Sequence, residues 1–600
     1  MKALTASFSS SKLEYAWSLD EIEATLPGDW SPYEFLMLEF RASSSQRFDL
    51  AIEAGDGSRI AKRIHPFANA WVRASIPLRF YRQPARDGHD LAATFNHPRG
   101  SYWINIHTND YGPLDDVRAI GVRMIDPVGE PTIEIRSVAL AKDDPGDEVL
   151  EREPLIDELG QYTRVDWSGK VASLDQLRSV WKAEDESLRA ELPGRCSFGG
   201  FIDGPTQRAT GFFRVERVDG RWWFVCPHGH LFWSTGVNGV RVHPERRIEG
   251  RERLFAAIPP EPERTFYAWN VRRRFGDDRW RTKWAELTTR RLRAWGFNTV
   301  HNWGAPSETD PEPAVPYAMM LRGWQSGLSV MGMADVYAED FAERVEVMAR
   351  QQLEPRHDDP NMFGYFIGNE PPWPGPESLL CDAILKLPAE TPTQKRLKSH
   401  LAKRDTPARH KAFAMEAFQL YLDTINAAVR KYAPNHLNLG IRFGGDVSDE
   451  LVKASHGFDV FSLNVYKTAP PREVLDRISE LSQRPLLIGE FHIGCPERGL
   501  ASGLVQAANQ EERAAGYRYY VEQCAAHSAV IGAHWFQWID QPATGRFDGE
   551  NYNIGFVDVT DQPYAELVAG ARLTHSRLLE VHSGRASPSA RPHPARSDAP

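Results

Sequence analysis

The sequence has few cysteines, and no two of them form a CxxC pair. Only five occur in 600 residues, and they are scattered along the chain: Cys196, Cys226, Cys381, Cys495 and Cys524. This spacing predicts neither a disulfide framework nor a zinc site. We therefore expect no metal centre.

The chain also lacks an excess of basic residues. Its 71 Lys and Arg stand against 81 Asp and Glu, which gives a net charge of −10. Nucleic-acid-binding proteins usually carry a basic surface, so we expect no nucleic-acid partner. The 18 Trp and 18 Tyr are more notable, because flat aromatic faces suit sugar rings, although they also suit a large core.

Long apolar runs are absent as well. No stretch approaches the roughly 20 residues that a membrane-spanning helix needs, so we expect no membrane contact. The first residues, MKALTASFSSSKLEY, contain no apolar run of signal-peptide length. As written, the sequence predicts a cytoplasmic protein, whereas a truncated start would allow a secreted or periplasmic one. No pattern in the sequence indicates an oligomeric state.

Residues 1–145 have the pattern of a β-sandwich. Short alternating apolar segments are separated by turn-rich loops, at 34–40, 47–54, 71–78, 101–107, 119–125 and 132–140. A charged, Pro-containing segment follows, and residues 146–195 read as a connector with a helix at 173–192 that a Ser could cap. At the other end, residues 583–600 are rich in Pro, Ser, Ala and Arg and predict a disordered tail.

Residues 196–582 predict a (β/α)8 barrel, so the chain as a whole belongs to the α/β class. Eight apolar strands alternate with amphipathic helices such as 340–353, 472–483 and 510–526. The strands are expected at 231–239, 297–303, 317–324, 362–370, 436–443, 460–466, 485–491 and 533–540. The gap from 371 to 435 is too long for one helix and predicts an excursion.

Polar and aromatic residues gather at the end of nearly every predicted barrel strand. Active sites of such barrels are built at the carboxyl ends of the strands, and a core has no use for this pattern because unpaired buried polar groups are costly. In strand order the residues are Asn238 and Arg241; His301, Asn302 and Trp303; Arg322 and Trp324; Asn369 and Glu370; Arg442; Asn464 and Tyr466; Glu490 and His492; and His534, Trp535, Gln537 and Asp540.

Two carboxylates stand out among these residues. Glu370 ends the fourth strand in FGYFIGNEPPW, where Pro371 and Pro372 stop the strand and fix its direction. Glu490 ends the seventh strand in PLLIGEFHIG, whereas its rival Glu497 lies in a loop beyond. A pair of carboxylates can cleave a glycosidic bond: one protonates the leaving oxygen, and the other attacks the anomeric carbon or activates water. This chemistry requires no organic cofactor.

The remaining candidates would bind sugar near these carboxylates. Asn369 would bond a hydroxyl beside the cleaved bond, and Tyr466 would hold Glu490 ionised. Packing in the core or a structural hydrogen bond is the alternative for each candidate. The full set of predicted substrate-binding residues is Asn369, Asn302, Trp303, Trp373, Arg442, Tyr466, His492, His534, Trp535, Gln537, Glu550 and Asn551.

The motifs resemble a known family. Asn-Glu-Pro after strand 4 and Glu-Phe after strand 7 are similar to the retaining glycosidases of clan A. Longer strings narrow the resemblance to glycoside hydrolase family 50, the β-agarases: DELGQYTRVDWSGKVASLDQL, WWFVCPHGHLFWSTGVNGVR, GRERLFAAIP, HWFQWIDQPATGR and GENYNIGFVDVTDQPY. The resemblance covers about 157–580. It implies that Glu370 is the acid/base, that Glu490 is the nucleophile, and that a carbohydrate-binding-module-like domain precedes the barrel.

The resemblance further implies a β-1,4-linked galactose at the cleaved bond, as in agarose or its oligosaccharides. If the protein stays inside the cell, a gel-forming polymer cannot reach it, and exo-type action on an imported oligosaccharide follows. One alternative is a hydrolase of another β-galactoside such as porphyran or carrageenan, with Arg241, Arg322 or Arg442 reading a sulfate. A remote alternative is a non-catalytic sugar-binding protein, which would need neither carboxylate.

Overall fold

The computed structural model describes residues 3–83, 96–105, 110–188, 190–242, 248–261, 263, 265–276, 278–302, 315–325 and 327–592. Within these ranges the chain forms an antiparallel β-sandwich, a connector and a (β/α)8 barrel, as the sequence predicts. No helix in the described part is long and apolar enough to span a membrane.

The sandwich consists of two antiparallel sheets. One has the order β1-β10-β3-β6-β11 and the other the order β2-β9-β4-β5-β8-β7. All six strands predicted for this region are present, and the shorter ones were not anticipated. The bounds are β1 Leu4–Ser7, β2 Glu14–Ser18, β3 Phe35–Ala42, β4 Phe48–Ala54, β5 Arg59–Pro66, β6 Trp71–Pro77, β7 Asn96–Pro98, β8 Tyr102–Asn105, β9 Val117–Arg123, β10 Thr132–Ala141 and β11 Glu148–Val149.

Alternation along the strands sets the inner face of the sandwich. In β3 every second residue is buried, so Leu36, Leu38 and Phe40 point into the core. The same apolar cluster continues into the connector and the barrel domain through Tyr162, Phe255 and other residues. The sandwich therefore has no separate core of its own.

The connector contains the predicted helix. It spans α3 Leu174–Ser187, and the Ser173 side chain accepts a hydrogen bond from the backbone N–H of Gln176, which satisfies one of the unpaired donors at the helix start. Two short helices, α1 Leu19–Ile22 and α2 Arg79–Arg82, precede it in the sandwich region.

The barrel closes through all eight neighbouring pairs of parallel strands. Strands 4 and 5 are each interrupted, which gives ten segments for eight strands. In chain order these are β16 Ser234–Asn238, β17 Thr299–Asn302, β18 Tyr317–Met320, β21 Met362–Phe366 with β22 Gly368–Asn369, β23 Leu437–Asn438 with β24 Ile441–Gly444, β25 Phe461–Asn464, β26 Leu486–Phe491 and β27 Val530–Trp535.

A small antiparallel sheet covers the amino end of the barrel. Its strands are β12 Phe201–Thr206, β13 Arg214–Val218, β14 Arg221–Val225 and β15 His230–Phe232. Phe224 and Phe232 from this sheet, together with Phe213 directly before β13, pack on Phe363 in the fourth barrel strand. We call this sheet the plug. It leaves only the carboxyl end open for polar residues.

Helices surround the barrel and form the predicted excursion. The region 371–435 folds as three helices, α7 to α9, and β19 Ser329–Val330 pairs with β20 Met333–Ala334 beside it. The helices are α4 Phe266–Phe275, α5 Trp280–Trp295, α6 Phe341–Leu353, α7 Glu377–Leu385, α8 Pro392–Leu401, α9 Pro407–Tyr432, α10 Asp449–Ala454, α11 Arg472–Ser482, α12 Gln510–Ala526 and α13 Ala565–His582. Beyond α13 the backbone of Ser589 still donates to Glu522.

A buried ionic network joins the connector to the barrel. Asp561 accepts from Arg291 at 2.6 Å and from Arg274 at 2.8 Å, and Glu184 of α3 accepts from Arg291 at 2.7 Å. Although burial raises the pKa of Asp561, the two guanidinium groups outweigh it and hold that pKa below its usual range. The carboxylate therefore stabilises the fold only while it is ionised.

We expect Asp561→Ala to lower the free energy of unfolding by about 3–5 kcal/mol, because it removes the fully buried carboxylate that Arg291 and Arg274 share and leaves Glu184 as the acid that contacts both. Thermal unfolding would measure this, with Asp175→Ala as the matched control, since the Asp175–Arg178 pair is exposed and contributes about 0–1 kcal/mol. Because the folded pKa is depressed, the contribution is present above the unfolded value of about 3.9 and is lost as the pH falls further. Equal losses in the two variants would contradict the prediction.

Candidate active site

Glu490 is a buried carboxylate at the open end of the barrel. It lies near the end of β26 and is only 4% exposed. Its Oε1 is 3.0 Å from Nη2 of Arg442, and its Oε2 accepts a hydrogen bond of 2.5 Å from the Tyr466 hydroxyl. Arg442 therefore faces one oxygen as an ion-pair partner, and Tyr466 holds the other oxygen through a hydrogen bond.

Arg442 is itself fixed by residues from two further strands. Its Nη1 donates to Oδ1 of Asn238 at 2.8 Å and lies 3.1 Å from Nδ1 of His301. Asn238 also donates to the backbone oxygen of Gly489 at 3.0 Å. Because each of these residues ends a different strand, closure of the barrel is what brings them together.

Burial and charge act in opposite directions on Glu490. Burial is the largest effect and raises the pKa of Glu490 to about 7; the Glu370 charge also raises it, while Arg442 and the Tyr466 hydrogen bond lower it. Burial also raises the pKa of Tyr466 well above its ordinary value, so this phenol stays a hydrogen-bond donor. Burial beside Arg442 holds the pKa of His301 well below its usual range, and the imidazole is neutral.

Glu370 is placed differently, because it is exposed at the mouth of the barrel. Its backbone N–H donates to the Arg442 carbonyl at 2.8 Å, directly after β22. Its φ is 41°, a left-handed conformation that is uncommon for a residue other than glycine. Pro371 follows and prevents the strand from continuing. The exposed carboxyl group faces the region where a ligand enters.

Asn464 connects the two carboxylates. Its Nδ2 donates to Oε1 of Glu370 at 3.0 Å and to Oδ1 of Asn369 at 3.1 Å. Asn464 also pairs directly with Glu490 across β25 and β26. Asn464 lies on the strand next to the one that carries Glu490. Its single amide group therefore links Asn369 and Glu370 to that side of the barrel mouth.

The loop after the last barrel strand adds a third carboxylate. Glu550 accepts from Arg546 at 2.6 Å and from Gln541 at 2.9 Å. Burial raises the pKa of Glu550 to about 7, and the charge of Glu370 is among the smaller causes. The predicted residue Glu550 therefore lies within electrostatic reach of Glu370.

The sandwich supports this loop from outside the barrel. Trp103 of β8 packs on Tyr552 with ring centres 6.0 Å apart, and its indole N–H donates to Oδ1 of Asn551 at 3.4 Å. Gly549 has a φ of +97°, and a Cβ there would lie 2.8 Å from the Trp103 side chain. The contact therefore requires a glycine at position 549. Asn551, which was predicted to bind sugar, instead accepts a hydrogen bond between the sandwich and the loop.

Several predicted sugar-binding residues lie in the core instead. Trp535 is fully buried and packs on Phe491, Tyr517 and Phe556. Trp373 is 1% exposed and packs on α9, where its N–H donates to the Gly332 carbonyl. These two rings have no free face for a sugar, because other aromatic side chains cover them.

The two predicted histidines are also buried and neutral. His534 bonds Ser234 at 2.8 Å inside the barrel, and burial lowers its pKa to about 3. His492 accepts from the Leu504 backbone at 2.9 Å, and burial likewise lowers its pKa to about 3. Gln537 is partly exposed, and its amide donates to the Ile539 carbonyl.

Two predictions fall at the edge of what the structure describes. Trp303 lies outside the described residues, and of Asn302 only the backbone is described, at the end of β17.

Glu497 accepts from Gln510 at 3.0 Å beyond the strand, away from the Tyr466–Glu490–Arg442 arrangement. In the described part of the chain no group of His, Cys, Asp and Glu suits a metal ion.

Comparisons with known proteins agree with this arrangement. No family model matches the chain. β-Agarase B of Vibrio sp. (strain JT0107) is 29% identical over 665 residues, which cover 92% of this chain and 69% of that protein. The solved structure of PfGH50B is 28% identical with a TM-score of 0.69, and the match covers 97% of both chains. The chain is similar over nearly its whole length to a β-agarase and to the solved structure of PfGH50B.

A second solved structure shows the same likeness. It is that of an exo-β-agarase, 25% identical with a TM-score of 0.69 over 97% of this chain and 95% of that one. This chain is accordingly a glycoside hydrolase with a sandwich and a barrel, and the comparisons confirm the resemblance inferred from its motifs.

We expect Trp103→Ala to lower hydrolytic kcat/KM by about 10- to 100-fold, because a small displacement of the Glu550 loop misplaces the site. Trp71→Ala is the matched control: Trp71 lies on the other sheet of the sandwich, stacked on Arg136. Initial rates at matched protein concentration would measure both. Equal activities for the two variants would mean that the sandwich does not position the loop.

Proposed function

We propose that this protein hydrolyses β-1,4-galactosidic bonds of agarose or agaro-oligosaccharides, in exo fashion and with retention of configuration. The substrate and the exo mode are supported by the likeness to β-agarase B and to the exo-β-agarase. The observation that carries the residue roles is the placement of a buried, doubly held Glu490 beside an exposed Glu370, with Asn464 between them.

The first step of the proposed reaction uses both carboxyl groups. As the general acid, Glu370 gives a proton to the glycosidic oxygen as that oxygen leaves the anomeric carbon. The Glu490 carboxylate attacks the same carbon and forms an ester with the sugar. Arg442 and Tyr466 direct the attacking oxygens and stabilise the charge before the bond forms.

The second step releases the sugar. Glu370, now a carboxylate, takes a proton from water as the water oxygen attacks the anomeric carbon, and the ester bond to Glu490 breaks. Glu370 has regained its proton and Glu490 its charge, so the site returns to its starting state. Asn369, beside Glu370, is the side chain we assign to a hydroxyl of the bound sugar.

The place of Arg442 in the site disfavours a sulfate-reading role for that residue. Arg442 is fully buried and is engaged by Glu490 and Asn238, so its guanidinium is committed to the nucleophile.

Product analysis by mass spectrometry tests the proposal. The protein would be incubated with agarose, neoagaro-oligosaccharides, porphyran, carrageenan fragments and simple β-galactosides. We expect a disaccharide to accumulate from the neoagaro series. Glu370→Gln and Glu490→Gln should each lose activity by at least about 1,000-fold, with Glu497→Gln as the control that keeps it. Activity on a different galactan alone would overturn the proposed substrate.

The stereochemistry of the product tests retention separately. NMR of the fresh product should show the β anomer first, before mutarotation. In addition, azide should restore turnover to Glu370→Ala and yield a β-glycosyl azide, since the ester to Glu490 still forms. An α anomer as the first product would mean that Glu490 activates water instead.

The pKa of Glu490 predicts the acidic limb of the pH profile. Attack requires the ionised form, so kcat/KM should fall as the pH drops through about 7. Tyr466→Phe removes a hydrogen bond that lowers this pKa, so the limb should move to higher pH, with a larger loss at about pH 6 than at about pH 8. Tyr432→Phe is the control, because that hydroxyl bonds Glu346 on the surface. An unshifted limb in Tyr466→Phe would refute the assignment.

A further inference from the structure

Two turns at the closed end of the barrel begin with a cysteine and have the same backbone pattern. Cys196 begins the turn CSFGG, and Cys226 begins the turn CPHGH. In each turn the cysteine carbonyl accepts from a glycine three residues on, Gly199 or Gly229, with N–O distances of 2.7 and 2.8 Å. Both glycines have a left-handed φ, 83° and 87°, a conformation that glycine adopts without the steric cost of a Cβ.

The paired turns place the two thiols in contact. The Sγ atoms of Cys196 and Cys226 are 3.7 Å apart. A Cβ at Gly200 would lie 2.9 Å from one sulfur and 3.3 Å from the other, so a glycine at this position leaves the space they occupy. The other three cysteines are buried in separate places, on α7, after β26 and on α12.

The two thiols differ in exposure and in acidity. Cys226 is fully buried, whereas Cys196 is partly exposed. The hydrogen bond from the Cys226 thiol is the largest of the effects that lower the pKa of Cys196 to about 5, and the backbone N–H groups of Phe198 and Gly200 contribute. Since the thiolate is the attacking species in disulfide exchange, Cys196 is suited to react first.

We propose that Cys196 and Cys226 form a disulfide bond when the protein meets a small-molecule disulfide such as oxidised glutathione. The Cys196 thiolate attacks one sulfur of that disulfide, which releases one glutathione thiolate and leaves a mixed disulfide. The Cys226 thiol then loses its proton and attacks Sγ of Cys196, which releases the second glutathione. The protein loses two hydrogens, and both end on the two glutathione thiols.

The bond would fasten the plug without touching the active site. It would link the turn before β12 to the turn after β14, enclosing a loop of about 30 residues and restricting the unfolded chain. The two sulfurs must approach to about 2.05 Å, a shift within reach of turns at the edge of a small sheet. The site lies at the opposite end of the barrel, so we expect unchanged kcat/KM.

Thiol counting by mass spectrometry tests the proposal directly. The full-length protein would be treated with either dithiothreitol or oxidised glutathione, then unfolded and alkylated with iodoacetamide. We expect five alkylated cysteines in the reduced sample. We expect three in the oxidised sample, with a peptide that links Cys196 to Cys226. Five alkylated cysteines in both samples, or a different linked pair, would overturn the proposal.

Single variants test the order of the steps. Cys226→Ser should hold one glutathione on Cys196, because no second thiol can displace it, whereas Cys196→Ser should gain none. A glutathione on Cys226 in Cys196→Ser would overturn the assignment of Cys196 as the attacking thiol. In the native sequence oxidation should raise the melting temperature by about 3 °C and leave kcat/KM unchanged, and Cys196→Ser should show no such rise. A lower melting temperature after oxidation would contradict the stabilising role.

Discussion

The burial of one carboxylate, that of Glu490, determines which residues must lie at the open end of this barrel. Glu490 is almost completely removed from water, which disfavours its charge unless a cation and hydrogen-bond donors lie against it. Arg442 and Tyr466 supply them, and Arg442 in turn needs Asn238 and His301. Because all of these residues stand at strand ends, one charge requirement couples at least five of the eight strands, and the chemistry depends on closure of the sheet.

The amino end of the barrel contributes to stability, and the carboxyl end carries the reactive groups. The amino end is sealed by the aromatic residues of the plug, which pack on Phe363 and its neighbours. The carboxyl end holds amides, carboxylates and a guanidinium group that contact one another through hydrogen bonds and an ion pair. Buried polar atoms at the carboxyl end cost free energy, and the apolar burial at the amino end offsets that cost.

The periodicity of apolar residues predicted the eight barrel strands, and the polar strand ends predicted that Glu370 and Glu490 share the open end of the barrel. These two features could be predicted because each depends on a local sequence pattern. Which face a strand-end aromatic takes depends on contacts distant in sequence. Trp535 turns outward onto Tyr517, whereas its neighbour His534 turns inward to Ser234, and Trp373 is covered by α9. Trp103 was missed because nothing in β8 indicates a partner more than 400 residues away. Asn464 was visible as a polar strand end, but its link to Glu370 requires coordinates.

The shared apolar cluster of sandwich, connector and barrel determines how this chain can be cut. Engineers often remove an accessory domain to obtain a smaller catalyst, and the first 145 residues look dispensable in a linear map. Here a cut at that point would strip the covering from Tyr162, Phe255 and Phe266 and would remove the partner of Tyr552. A minimal enzyme from this scaffold is therefore the whole assembly, and shortening belongs in surface loops rather than at the domain boundary.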